Sequence, residues 1–180
     1  MKKIIIILIL AFVSNVILAQ TGNESPAATR KEKRNAEIEK QYELNKMMLE
    51  NRNFVLQADR LQDRRGHLVN VISTINFIAV DSATAIIQIG SNSRIGPNGV
   101  GGVTAKGAIT SWKLTENKKQ KSFDLSFNVM TPIGMYDLFF TISPSNTASA
   151  ILTGLSAGEL TFNGQLVPYT ESTVYEGQSL

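Results

Sequence analysis

The chain has 180 residues, with 18 basic and 15 acidic side chains, one histidine and no cysteine. Setting aside Lys2 and Lys3, which belong to an N-terminal leader, leaves 16 basic against 15 acidic residues, so no nucleic-acid partner is implied. Without cysteine, neither a disulfide framework nor the lipid-modified thiol of a bacterial lipoprotein can form, and a single core in the remaining ~160 residues must carry stability.

The leader, MKKIIIILILAFVSNVILA, places two lysines before an apolar run from Ile4 to Val13. That run is about half the ~20 residues a spanning helix needs, so residues 1–19 read as a secretory signal, cut between Ala19 and Gln20. The mature chain is therefore expected to be exported, to the periplasm or beyond, with no transmembrane anchor. Residues 20–28 (QTGNESPAA) are small and polar and read as a flexible leader.

Residues 29–52 carry the pattern of a charged amphipathic helix, rich in straight-chain helix formers and free of Gly and Pro. Thr29 and Glu32 have capping-box spacing. Ile38, Tyr42, Leu44, Met48 and Leu49 form one apolar stripe, while the first turns are almost wholly charged. Two uses are open for the stripe: docking on the domain after it, or a short coiled coil. Heptads are not sustained, and Asn45 stands where a seam would want an apolar residue, which favours docking.

From Asn53 the period changes to two, and residues 53–168 read as an antiparallel β domain. SFDLSFNVMT turns Phe123, Leu125, Phe127 and Val129 to one side. MYDLFFTIS does the same with Tyr136, Leu138, Phe140 and Ile142, and LTFNGQL with Leu160, Phe162 and Leu166. NFVLQAD (53–59), VISTINFIAV (71–80), TAIIQI (84–89), KGAITSWKLT (106–115) and TASAILT (147–153) complete a meander of about eight strands with short polar turns. Such a meander closes as a barrel-like sheet or stacks as a sandwich. Ile86–Ile87 and Phe139–Phe140 break the alternation and call for a bulge or a covering layer, for which the N-terminal helix is the nearest candidate. Residues 169–180 read as a polar C-terminal tail.

The glycine-rich stretch GPNGVGGVTAKG, residues 96–107, invites comparison with phosphate loops. Lys106 lies between Ala105 and Gly107, which is not the Gly-Lys-[Ser/Thr] order a Walker loop requires, and strand-period sequence comes after it rather than a helix. The glycines read instead as a crossing between strands where positive φ and close approach are tolerated. His67 comes after Asp59 and Asp63 at intervals of four, a metal-binding arrangement only on a helix, and Gly66 argues against a helix there. A surface hairpin with Arg60, Arg64 and Arg65 paired to the aspartates is the expectation. Asp81, Asp137 and Glu159 fall at or near strand ends, the usual place for solvated charge. Trp112 with Lys113 and the KKQK run at 118–121 make a thin basis for a single-stranded nucleic-acid platform.

The stretches NRNFVLQADR (51–60), TINFIAVDSATAIIQIG (74–90), GGVTAKGAITSWKL (101–114) and GELTFNGQLVP (158–168) resemble the family known as domain of unknown function 4251, typical of Bacteroidota. The resemblance covers the chain from about Asn51 onward. It implies an exported, mostly β domain with no assigned activity, hence no catalytic, cofactor-binding or metal-binding residues to transfer. The residues themselves leave three classes of function. A non-catalytic module binding a small apolar or envelope-derived ligand leads, a structural or interaction protein of the cell envelope working through its helix or sheet edges is second, and an enzyme comes last. The first two part on whether Phe123, Phe127, Tyr136, Phe140 and Phe162 fill the sheet's interior or line a cavity in it.

Overall fold

A computed structural model describes residues 26–91, 98–155 and 158–179; the expected signal (1–19), residues 20–25 of the expected leader, and residues 92–97, which include the first two of the glycine-rich stretch, lie outside the described residues. The helix, α1 (Pro26–Glu50), begins ahead of the expected capping box, so Thr29 lies inside it. Proline suits the first turn, because its fixed φ is helical and its missing N–H would have been unpartnered anyway.

The division between compact units falls between Glu37 and Ile38, inside α1. Residues 30–37 are exposed throughout, as a run of charged side chains should be. From Ile38 onward the stripe docks: Tyr42, Met48 and Leu49 are buried in the core of the second unit. Asn45 is also fully buried, accepting from Gln41 Nε2 at 3.0 Å and donating to the Ser143 carbonyl at 3.4 Å, so a polar side chain in the seam is satisfied by the sheet domain. The helix ends where Arg52 takes the left-handed conformation (φ 51°), its N–H reaching back to the Leu49 carbonyl at 3.3 Å.

Among the described residues nine strands come next: β1 (Asn53–Asp63), β2 (Leu68–Asn70), β3 (Phe77–Asp81), β4 (Thr84–Ile89), β5 (Val103–Asn117), β6 (Ser122–Thr131), β7 (Gly134–Ile142), β8 (Thr147–Leu155) and β9 (Gly158–Pro168). All pairings are antiparallel between neighbours, from β3 through β9, and β9 pairs back onto β1 with Phe54 opposite Pro168 and Asp63 opposite Leu160. The sheet therefore closes as an eight-stranded up-and-down barrel, β1 serving also as the partner of the short β2. A 3-10 turn, Tyr169–Glu171, and an extended segment complete the chain.

The structure departs from the expected strands in one place. VISTIN (71–76) is not a strand, because Asn76 bends the chain: its N–H and Nδ2 both donate to the Ile72 carbonyl (3.1 and 3.0 Å), and its Oδ1 accepts from Gly90 N–H at 3.0 Å. The strand along β1 is thus split into β2 and β3, both paired to it.

The inward sets of β6, β7 and β9 are those the alternation predicts, and the interior is packed with rings. Phe127 stacks on Trp112 at 5.1 Å and on Phe140 at 5.6 Å, while Phe54 meets Phe140 edge-on at 5.9 Å. Trp112 owes its place to a bulge between Thr110 and Lys113, where Ser111 (φ 54°) adds one residue and reverses the facing of the rest of the strand. At one end, Tyr42 of α1 stacks on Phe123 at 5.2 Å.

A second apolar cluster lies on the other face of β1, β3 and β4, made of Val55, Phe77, Ala79 and Ile86. Its cover is the C-terminal segment, through Tyr169 and Val174, and not the helix, which packs with the interior cluster. Ile86 faces out of the barrel, away from the interior cluster that the helix joins through Tyr42, Met48 and Leu49. Nor does the helix cover Phe139, which remains 53% exposed. Among the described residues, no helix is long and apolar enough to cross a membrane.

Candidate functional site

The features singled out in the sequence are dispersed. Val103 to Gly107 belong to β5, and Lys106 forms a 3.2 Å pair with Glu176. Gly107 is required by close approach, since a Cβ there would lie 2.1 Å from the Met130 carbonyl across the ladder. The described glycines of this stretch thus serve architecture.

His67 sits at the tip of the β1–β2 hairpin. Its ring Nδ1 lies 3.0 Å from Asp63 Oδ2, and Asp63 Oδ1 accepts the backbone N–H groups of Arg65 and His67 at 2.8 and 2.9 Å. These bonds, led by the backbone N–H of His67, hold the Asp63 carboxyl below its ordinary range. Asp59 pairs with Arg60 at 3.2 Å, as expected, whereas Asp63 takes its bonds from the backbone and from His67. Among the described residues no group of three His, Asp or Glu side chains is placed to hold a metal.

Three further residues of these motifs have partners within the domain. Asp81 lies 3.1 Å from Ser82 Oγ, Asp137 accepts from Asn128, and Lys121 pairs with Glu39 of α1. Trp112, which a nucleic-acid platform would need on the surface, is stacked inside.

A polar cluster that the sequence did not reveal joins helix and barrel. The Tyr42 hydroxyl donates to Glu116 at the end of β5, and Lys46 Nζ lies 3.5 Å from the same carboxylate. The bond to Glu116, reinforced by burial, pushes the Tyr42 pKa up to about 12. The same bond, with Lys46 and Lys118 nearby, holds Glu116 below the usual carboxylate range. Each charge has a partner, and the cluster reads as a latch for the helix; the signal for it, Tyr42 and Lys46 one turn apart, is common to many solvated helices.

On the outer surface of β6, β7 and β8 the alternation puts large apolar groups among polar ones. Phe139 pairs across the ladder with Ile151, 53% and 36% exposed respectively, and Met130 pairs with Met135, each more than half exposed. Beside Phe139 is an open depression of about 250 Å³, bordered by Lys113, Thr115, Asp124, Ser126 and Thr141. This face is one of the places where the described surface exposes large apolar groups; Leu68, Val69 and Ile72, on and just after β2, are another.

Among curated proteins, none matches the chain. A crystal structure of a DUF4251 family protein from Bacteroides eggerthii DSM 20697 is similar to it, with 27% sequence identity over 73% of this chain and 90% of that chain and a TM-score of 0.62. Residues 36–166 match the model of a domain of unknown function, DUF4251, a span that runs from the docking part of α1 to the closing strand β9. The chain is a member of the DUF4251 family.

Proposed function

We propose that this protein is an exported, non-catalytic interaction protein of the cell envelope, engaging a protein partner through the outer face of β6–β8. The observation that carries this reading is the exposed Phe139–Ile151 pair, set among the polar Asp137, Thr141 and Ser149 on a face that also exposes Met130 and Met135. An aromatic and a β-branched side chain held rigidly on a closed barrel are the kind of anchor that interfaces bury at their centre. The inward–outward pattern, with phenylalanine and leucine inside and Lys113, Thr115 and Asp124 outside, is the reverse of a membrane-spanning barrel and fits a domain bathed in water.

A small apolar ligand inside the sheet is less well supported, because the stacked rings of Trp112, Phe127 and Phe140 occupy the interior and Leu49 and Met48 of α1 are buried with them. The non-catalytic part of the proposal is supported by composition: one histidine and no cysteine leave few ways to build a nucleophile beside an oriented base.

The test is a photo-crosslinking amino acid placed at position 139 of the exported chain in its own host, with position 119 in the β5–β6 turn as control. One discrete protein adduct at 139, lost in an Ile151→Asp background, is the expected result. A lipid or small-molecule adduct at 139, or adducts of equal yield at both positions, would overturn the reading. Intact-mass measurement of the exported fraction, expected to start at Gln20, tests the export component separately.

A further inference from the structure

The segment after β9 lies against the barrel in a manner that resembles a bound peptide. Gln88, fully buried in β4, presents its side-chain amide to two backbone groups of that segment: Nε2 donates to the Tyr175 carbonyl and Oε1 accepts from Gly177 N–H, both at 2.8 Å. Bonding the carbonyl of one residue and the N–H of the residue two further on is what a neighbouring strand does in a parallel ladder. Tyr175 N–H donates to the Thr74 carbonyl at 2.8 Å, and Gln178 N–H donates to the Asn98 carbonyl at 2.9 Å. Behind Gln88 the pocket is built of buried polar groups: Thr104 Oγ1 donates to Gln88 Oε1 at 2.9 Å, and Asn98 Nδ2 donates to Thr104 Oγ1 at 3.1 Å. Asn98 in turn is held by the N–H groups of Val100 and Gly102 at 3.1 and 2.9 Å.

The groove makes few demands on side chains. Val174 packs against the cluster of Val55, Phe77, Ala79 and Ile86, while Tyr175 is 66% exposed. At position 177 only glycine fits, since a Cβ would lie 2.3 Å from the Asn98 carbonyl and 3.0 Å from Val100 Cγ2. Among the described residues, the other polar contacts of the segment are main-chain bonds, the Lys106–Glu176 pair and a 3.2 Å bond from Gln57 to the Thr173 hydroxyl.

We infer that this face of β3–β5 is a peptide-docking site for an extended segment with the pattern Val-x-x-Gly, filled in cis by the chain's own residues 173–178. Main-chain recognition supplies affinity, and the apolar and glycine subsites supply selectivity, as in strand addition to a sheet. The tethered segment occupies the site at an effective concentration on the order of millimolar, so an incoming peptide binds measurably only when the tail is released. This site lies on different strands from the β6–β8 face and does not depend on it.

The tail can be released without altering the groove, by changing only the tail. A fluorescein-labelled peptide of residues 171–179, ESTVYEGQS, is titrated into the full chain, into full-length Gly177→Ala and into full-length Val174→Asp, with amide exchange at Tyr175 and Gln178 followed in parallel. Exchange at least tenfold faster in either variant, with saturable peptide binding at least tenfold tighter than to the unaltered chain, is expected. The same peptide carrying alanine for its glycine should bind at least tenfold more weakly. Unchanged exchange in both variants, absence of binding once exchange shows the tail released, or equal binding of the glycine and alanine peptides would each overturn the inference.

Discussion

The guanidinium carbon of Arg52 lies 4.7 Å from the centroid of the Trp112 ring, so the residue that ends the helix also caps the aromatic stack inside the barrel. Its backbone carries a second duty, because the left-handed turn at φ 51° redirects the chain into β1 and lets the Arg52 carbonyl accept Ser82 N–H at 2.8 Å. Arg52→Ala keeps the backbone demand and removes the cation over the ring, a loss of about 0.5–1 kcal/mol. Arg52→Gly should lose less, since glycine adopts the left-handed turn without a Cβ penalty. Trp112 is the lone tryptophan, so urea melts monitored by its emission report on the contact directly. An Arg52→Ala chain with unchanged emission maximum and midpoint would remove the cation–ring contact from the account.

The latch between Tyr42 and Glu116 predicts a pH signature at both ends of the scale. A tyrosine whose pKa rises from 10.0 to about 12 on folding stabilises the fold fully below pH 10, and that contribution is lost as pH climbs toward 12. Glu116, lowered from 4.5, contributes above that value and loses its contribution as pH falls through the folded value. Tyr42→Phe keeps the stacking on Phe123 while removing the hydroxyl, so the variant should be less stable at neutral pH and should lack the decline that this group imposes between pH 10 and 12. Thermal melts of both chains across pH 3 to 12 check this, the sloping alkaline limb being the diagnostic. Parallel curves for the two chains throughout would mean that the bond contributes nothing.

Phe127 tests whether the interior is full. It is 2% exposed and sandwiched between Trp112 and Phe140, so Phe127→Ala should cost about 3–5 kcal/mol, as truncation of buried aromatics does. Denaturant unfolding gives the value. A cost below about 1 kcal/mol would show that the ring borders empty space, and an internal ligand would return as the better reading.

The features legible in the sequence and those hidden from it differ in where each gets its energy. The inward sets of β6 and β7 were readable because period two is a local consequence of the pleat, and Phe123 to Val129 and Tyr136 to Ile142 face inward as their spacing requires. The interruption at 71–76 was not, because VISTIN contains no breaker; the bend is held by Asn76 bonding to Gly90, fourteen residues away. The inward turn of Trp112 depends on a bulge at Ser111, a residue whose type does not announce a left-handed φ. The docking of the tail is not legible, because TVYEGQ has the composition of a solvated segment. One signal existed: Gln88, a polar residue inside the apolar run TAIIQI, had to find buried partners, and it found them in the tail. Tyr42 and Glu116 are 74 residues apart in the chain, and no local rule links residues so far apart.

Two glycines separate steric from conformational demands and supply the final prediction. Gly164 in β9 faces β1 where that strand's register shifts between Ala58 and Arg60, and a Cβ on it would lie 1.9 Å from the Gln57 carbonyl and 2.8 Å from Ala58 Cα. The seam at which the barrel closes runs through this contact, so the two backbones would have to part and the β1–β9 ladder would weaken on both sides. Gly164→Ala should therefore cost about 1–3 kcal/mol, in the range of overpacked cores. Gly99 is the contrasting case, with φ 76° but nothing within 4 Å of the added carbon, so Gly99→Ala carries only the left-handed penalty of about 1–2 kcal/mol and should leave the ladder intact. Amide exchange distinguishes them where midpoints overlap: Gly164→Ala should accelerate exchange along β1 and β9, and Gly99→Ala should act locally. If both substitutions leave the β1 and β9 amides equally protected, the close approach at Gly164 is not what fixes the closing seam.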